Sequence, residues 1–347
     1  MSTATGTATS IPETYLFDPS LEPSHTQEFF QGFLAKDELA VWIGHEKDRK
    51  TTVVLNFGIA AAVGRNFLGF RFVAPQPLRV VIFDYESKDH SIHRRYRAMC
   101  DALKLSDEER GRLKENLTIV ELRRWIHDGF VIPRIDAKDG EKFWKNIVDQ
   151  YAADLYIVDP MRCFHGGDEN NSTMEKVLAG IRRTFQRTVV LPHHMVKRSQ
   201  NRKENVRLKD EMRLWSEGAR GSGAIKAHAD VIVCQERTVE DDGTELVHWG
   251  AFLKDAPDVD PIALEESAPE SFLWLPSRTI PNELNNTLNT LRGGKEPWAN
   301  RTEVAEFLMQ GGMKRATAYR HIKNLFQRGR LAEIDGVGIY KADPELR

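Results

Sequence analysis

The chain has 347 residues, about two domains' worth, with 41% hydrophobic and 29% charged side chains, an ordinary globular composition. A formal net charge of −2 excludes nucleic-acid binding by the surface as a whole and leaves that role to local patches. No stretch approaches the roughly 18 apolar residues of a membrane span, so no membrane partner is expected, and Cys100, Cys163 and Cys234 lie too far apart for metal ligation, which predicts buried thiols in a reducing cytoplasm.

Residues 1–25 are small, polar and proline-containing without periodicity, and are expected to form a mobile arm. From 26 to 275 short β-rich runs alternate with helical stretches. Strands are predicted at Ala40–Ile43, Arg79–Phe83, Leu117–Val120, Leu155–Val158, Val189–Pro192 and Val231–Cys234. Amphipathic helices are predicted at Thr51–Val63, His90–Leu103, Gly140–Tyr151 and Thr173–Gln186, the last opened by a capping box of Ser172 with Glu175. This alternation implies βαβ units, a largely parallel sheet, and sites at its carboxyl edge.

The segment Gly44-His-Glu-Lys-Asp-Arg-Lys-Thr-Thr52 joins the first strand to the first helix, the place of a phosphate-binding loop. Gly44, Lys50 and Thr51 match the template Gly-x-x-x-x-Gly-Lys-Ser/Thr, with Thr52 following, but Arg49 stands where the second glycine belongs, which puts tight backbone wrapping of a phosphate in doubt although its charge could compensate by binding the phosphate itself. Taken alone, the match fits a surface loop with a chance spacing equally well. Asp159 ends an apolar strand before Pro160; it suits a carboxylate serving Mg²⁺, or simply a cap on the turn after a core strand. Glu86 follows a third buried strand, and His193 and His194 end a fourth; adjacent strand residues face opposite ways, so a shared zinc is not expected, and one histidine contacting a phosphate is.

Residues 197–222 are polar and basic and end in Arg220-Gly-Ser-Gly, a long loop of the kind that is usually functional or disordered. A linker is placed at 276–282. Residues 283–347 then show three helical stretches, Asn282–Leu291, Arg301–Met309 and Thr317–Gln327, and a hairpin over 331–340 turning at Asp335-Gly336. The last two helices read as a helix-turn-helix and the hairpin as a wing. Ala318, Ile322 and Leu325 fall on the buried face of the third helix, leaving Lys314, Arg315, Thr317, Tyr319, Arg320 and Lys323 to meet duplex DNA. The module carries 11 basic and 8 acidic side chains, which favours DNA over a protein partner.

The order of phosphate loop, Asp84-Tyr-Glu86, Ile157-Val-Asp-Pro160, His193-His-Met-Val-Lys197 and Arg220-Gly-Ser-Gly-Ala-Ile-Lys-Ala-His-Ala-Asp230 resembles the RecA-like ATPases of the plasmid RepA and DnaB helicase branch over about residues 36–260. Val63–Gly69 and His165–Asn171 are similar to the RepA-type group in particular. The segment 301–322 resembles bacterial winged helix-turn-helix regulators. The resemblance implies an α/β fold, a RecA-like P-loop core with a small C-terminal winged-helix domain. It implies ATP and Mg²⁺ held by Lys50, Thr51 and Asp159, with Glu86 as the catalytic carboxylate and His194 as the γ-phosphate sensor.

By the same resemblance, Arg198, Arg202 and Lys203 lie in channel loops that hold single-stranded DNA, and the working form is a homo-oligomer such as a hexamer. The Lys-x-Arg pair of related helicases is replaced by Lys254-Asp-Ala256, which leaves Arg220 as the candidate arginine finger and slow turnover as the expectation. Two functions stay open: a RepA-type helicase or ATP-dependent replication initiator or loader of a plasmid or mobile element, and a nucleotide-binding, DNA-binding regulator with little or no ATPase activity.

Overall fold

The computed structural model describes residues 26–87, 89–166, 169–195, 206–240, 243–277, 290–291, 298–327, 331–334 and 338–341. The expected arm 1–25, the basic residues Arg198, Arg202 and Lys203, the Asp335-Gly336 turn, and most of the linker and of the Asn282–Leu291 helix lie outside them.

The fold is α/β, built on a large, mostly parallel central sheet. Six strands form its parallel part, the first five being β3 (Leu39–Gly44), β4 (Val80–Asp84), β5 (Leu117–Glu121), β6 (Leu155–Asp159) and β7 (Thr188–His194). Each of the central runs, such as Leu-Tyr-Ile-Val-Asp in β6, is buried along its whole length, the pattern of strands covered on both faces. Preceding them is a short hairpin, β1 (Glu28–Phe30) with β2 (Leu34–Ala35). Following them, β8 (Val231–Val239) runs parallel to β3, and β9 (Glu245–Leu253), β10 (Val259–Glu266) and β11 (Trp274–Pro276) extend the sheet antiparallel. The nine-strand order is β11-β10-β9-β8-β3-β7-β6-β4-β5. One strand, β7, therefore separates the loop-bearing β3 from the acid-bearing β6, and the crevice between them opens at their carboxyl ends.

Helices cover the parallel strands. α1 (Lys50–Val63) is buried at every position except Thr51, and its Phe57 ring lies 5.1 Å from those of both Phe30 and Phe67 and 6.3 Å from that of Trp42. α2 (Asp89–Ala102) and α3 (Asp107–Asn116) share that face through Ile92, Met99 and the partly buried Leu113. After β5 comes α4 (Leu122–His127); α5 (Gly140–Tyr151) and α6 (Asn171–Phe185) pack on the opposite face around Trp144, Tyr156 and Phe185. α7 (Met212–Ser216) and α8 (Ser222–His228) precede β8.

All six predicted strands and four predicted helices are present, with bounds moved by a few residues. The sequence reading ended the sheet at Cys234; its antiparallel half was not anticipated. The expected capping box at Ser172 and Glu175 is corrected: Asn170 is the cap, its Oδ1 accepting from the Thr173 N–H at 2.9 Å and from the Ser172 hydroxyl at 2.9 Å, so Ser172 already lies in the first turn. A true capping box opens α3 instead, where Ser106 Oγ accepts from Glu109 N at 3.2 Å and Glu109 Oε2 from Ser106 N at 2.8 Å.

The C-terminal residues form α9 (Arg301–Gln310), α10 (Arg315–Gln327) and the antiparallel pair β12 (Leu331–Ile334) and β13 (Gly338–Lys341). They have their own core of Leu291, Trp298, Val304, Leu308, Ala318, Ile322, Leu325 and Ile339. Cys100 and Cys234 are buried, Cys163 is half-buried, and all three are free thiols. No helix among the described residues is long and apolar enough to cross a membrane.

Candidate nucleotide site

Strand register builds the site. Gly44 pairs with His194 across β3 and β7, and Asp84 pairs with Asp159 across β4 and β6, so four chemically distinct strand ends meet at one edge. Gly44 is irreplaceable there: a Cβ on it would sit 2.6 Å from the Gln235 carbonyl oxygen. The loop that follows is tied internally by the His45 N–H donating to Asp48 Oδ2 at 2.7 Å. It is tied externally by Gln235 Nε2 donating to the Asp48 carbonyl at 2.5 Å, while Trp42 Nε1 holds Gln235 Oε1 at 2.8 Å. Burial pushes the Asp48 carboxyl up to about 6.

Arg49 occupies the missing glycine's place with φ 64°, in the left-handed region, and caps α1. A residue with a Cβ is disfavoured there by about 1–2 kcal/mol, which is why the template has glycine. The loop keeps a left-handed backbone at this position with an arginine in it. The guanidinium turns away to Glu245 at the start of β9, Nε to Oε1 at 2.8 Å and Nη2 to Oε2 at 3.2 Å.

Lys50 is buried and its Nζ donates to the carbonyls of Gly44 at 2.9 Å and His45 at 2.7 Å; the same atom is 3.4 Å from His194 Nδ1. Burial lowers its pKa, against which Asp48 and Asp159 act. Burial pushes the Asp159 carboxyl up to about 6, against which the neighbouring Thr51 hydroxyl acts. Thr52, the next residue, is buried in the first turn of α1. A hydroxyl beside a buried carboxylate is an oxygen set suited to a hard divalent cation, so the residues present fit Mg²⁺.

Glu86 is set by a residue the sequence reading passed over. Asp84 Oδ1 accepts from the backbone N–H groups of Glu86 at 2.9 Å and Ser87 at 2.7 Å, folding the loop back over the strand end. The signal was present, since Asp84 ends a buried strand two residues before Glu86. The Glu86 carboxylate lies 3.9 Å from His194 Nε2, and the imidazole keeps it below the usual carboxylate range. Lys50, Thr51, Glu86, Asp159 and His194 are thus brought together.

His193 faces the other way, as strand alternation requires, and its Nε2 donates to the Arg220 carbonyl at 2.9 Å. Burial drops its pKa to about 4, which leaves it neutral. Arg220 does not stand free as a finger: its guanidinium pairs with buried Glu169 of the same chain. The second half of the basic segment is also not an open loop. Arg207 Nη1 binds the fully buried Glu236 at 3.1 Å, and α7 seats Trp215 in the core and Arg213 over the Phe252 ring. Lys254 pairs with Asp230 at 3.6 Å.

In the C-terminal module Ala318, Ile322 and Leu325 are buried as expected. Lys314, Arg315, Tyr319 and Arg320 are exposed and Thr317 is half-buried. Lys323 is exposed too, but its ammonium is paired with Asp260 of β10.

A family profile described as an AAA domain matches residues 14–200, more than half of the 347-residue chain, and takes in Gly44, Lys50, Thr51, Glu86, Asp159 and His194. No curated protein matches. Among solved structures, the KaiC-like protein PH0186 from the hyperthermophilic archaeon Pyrococcus horikoshii OT3 is similar at 10% identity with a TM-score of 0.44, covering 70% of this chain and 95% of that one.

Proposed function

Since the chain belongs to the AAA domain family of P-loop ATPases, we propose that it hydrolyses ATP at the edge formed by β3, β4, β6 and β7 and couples the nucleotide state to DNA. The observation that carries this reading is the convergence of Lys50, His194 and Glu86, with His194 Nδ1 3.4 Å from the lysine and Nε2 3.9 Å from the carboxylate. Lys50 and the loop N–H groups bind phosphate. Thr51 and Asp159 hold Mg²⁺, which when bound neutralises charge developing on the phosphates. Glu86, ionised at neutral pH, orients the attacking water and accepts its proton, and His194 answers to the presence of the terminal phosphate.

DNA enters at two places. The exposed Lys314, Arg315, Tyr319 and Arg320 on and beside α10 suit the backbone and base edges of duplex DNA, with β12 and β13 as the wing of a winged helix. Arg198, Arg202 and Lys203 would serve single-stranded DNA in a homo-oligomeric channel. Together these features suit a RepA-type helicase or a replication initiator or loader of a mobile element.

One observation favours the second reading, a nucleotide-binding DNA regulator with little turnover: Arg220 is held by Glu169 in its own chain and is not available to a neighbour in this arrangement. ATPase rate measured with and without single-stranded DNA separates them. Stimulation by DNA supports the motor; nucleotide binding with negligible turnover in both conditions supports the regulator.

A further inference from the structure

The hairpin of β8 and β9 grips the phosphate loop at two successive places. Gln235 holds the Asp48 carbonyl at 2.5 Å, and Glu245 binds Arg49 with both carboxylate oxygens. Glu245 is no ordinary surface partner. It also accepts from Arg237 Nη2 at 2.6 Å, is only 23% exposed, and its carboxyl is driven down to about 2, burial being outweighed by the two guanidinium groups. The residue it grips is the one with a left-handed backbone at the loop's glycine position.

We propose that Glu245 is a positioning residue for the phosphate loop, and that its grip on Arg49, backed by Arg237, supplies the loop conformation that a glycine supplies in the usual template. Glycine reaches φ near +60° without penalty, whereas arginine has to be held there by contacts made elsewhere. A bidentate, charge-assisted pair does this, because Glu245 lies on β9, which is paired with β8, and β8 is hydrogen-bonded to the strand that delivers Gly44. Glu245 acts through Arg49 and needs no contact with the nucleotide. The antiparallel extension of the sheet thereby becomes part of the nucleotide site. This inference rests on the nucleotide reading for its consequence, but the loop geometry it explains belongs to the protein without ligand.

The test is a pair of cycles on the full chain with Glu245→Ala, Arg49→Gly and the double variant. In the free protein, amide hydrogen exchange over residues 45–51 should speed up in Glu245→Ala and return to the Arg49→Gly rate in the double variant, since glycine removes the need for the grip. For Mg²⁺-ATP, Glu245→Ala should weaken binding about tenfold, and in the Arg49→Gly background the same change should shift it less than about twofold. Arg49→Gly itself should bind at least as well as the wild type.

Unaltered loop exchange in Glu245→Ala overturns the proposal. So does an equal effect in both backgrounds, which would mean that Glu245 acts on the nucleotide or on overall folding. If no variant binds ATP, including the wild type, the nucleotide reading fails, while the exchange cycle still decides whether the grip exists.

Discussion

His194 stands between Lys50 and Glu86, its Nδ1 3.4 Å from the lysine Nζ and its Nε2 3.9 Å from the carboxylate Oε1. One imidazole thus touches both the group that binds phosphate and the group that handles water. Because β7 is hydrogen-bonded to β3 with His194 opposite Gly44, this bridge is part of the sheet and moves with it.

Lys50→Ala should abolish Mg²⁺-ATP binding. The buried ammonium lies among Asp48, Asp159 and Glu86, and removing it leaves those carboxylates facing a polyphosphate without the charge that offsets their repulsion. Isothermal titration of the variant against the wild type checks this; retained affinity would mean that the loop has been misread.

Glu86→Gln should keep nucleotide binding and lose about 10²–10⁴-fold in turnover, the range for a removed general base. His194→Ala should also slow turnover, and its effect should largely vanish when added to Glu86→Gln if the two act as one unit. Steady-state ATPase assays on the three proteins read this directly.

Asp159 and Asp48 both titrate at about 6 in the fold, against about 3.8 when exposed. The native state therefore binds these protons more tightly than the unfolded chain, so the two groups contribute stability below about pH 4 that is lost as the pH rises through 6. A cation on Asp159 requires the ionised form. Mg²⁺ affinity should accordingly fall as the pH drops below about 6, with proton release on binding. Mg²⁺ titrations of the wild type across that range, monitored by heat in two buffers of different ionisation enthalpy, test the sign.

Arg315→Ala and Arg320→Ala should each weaken duplex DNA binding, by about 1–3 kcal/mol where a base contact is lost or with a salt slope reduced by roughly one where a phosphate contact is lost. Lys323→Ala should cost less, because its ammonium already has a partner in Asp260. Arg198, Arg202 and Lys203 replaced together by Ala should weaken single-stranded DNA binding and spare ATP affinity. Anisotropy titrations at several salt concentrations distinguish these outcomes, and a module that binds no duplex at low salt would be a protein-interaction domain.

Phe57→Ala should destabilise the core by about 3–5 kcal/mol. Its ring is packed 5.1 Å from Phe30 of the β1–β2 hairpin and 5.1 Å from Phe67, so the cavity would open where three separate segments meet. Urea unfolding of the variant measures it.

By itself the sequence determined the parallel half of the sheet and which polar residues stand at its carboxyl edge. Runs such as Val80–Asp84 and Leu155–Asp159 are apolar to their last residue and end in acid, which marks both a buried strand and its chemistry at the carboxyl edge. Lys50, Thr51, Glu86, Asp159 and the His193-His194 pair were legible as candidates in this way because each sits at a strand end or a helix start; choosing His194 over His193 rested on the family resemblance. Tertiary structure alone decided the rest. Whether Arg49 spoils the loop depends on Glu245, 196 residues away. Whether Arg220 is free depends on Glu169, and how much of the basic segment is open depends on the buried Glu236. Charges read as available in a sequence are consumed by partners that only folding brings near. Long-range ion pairs leave no periodicity in the chain, whereas burial of a strand or a helix face does.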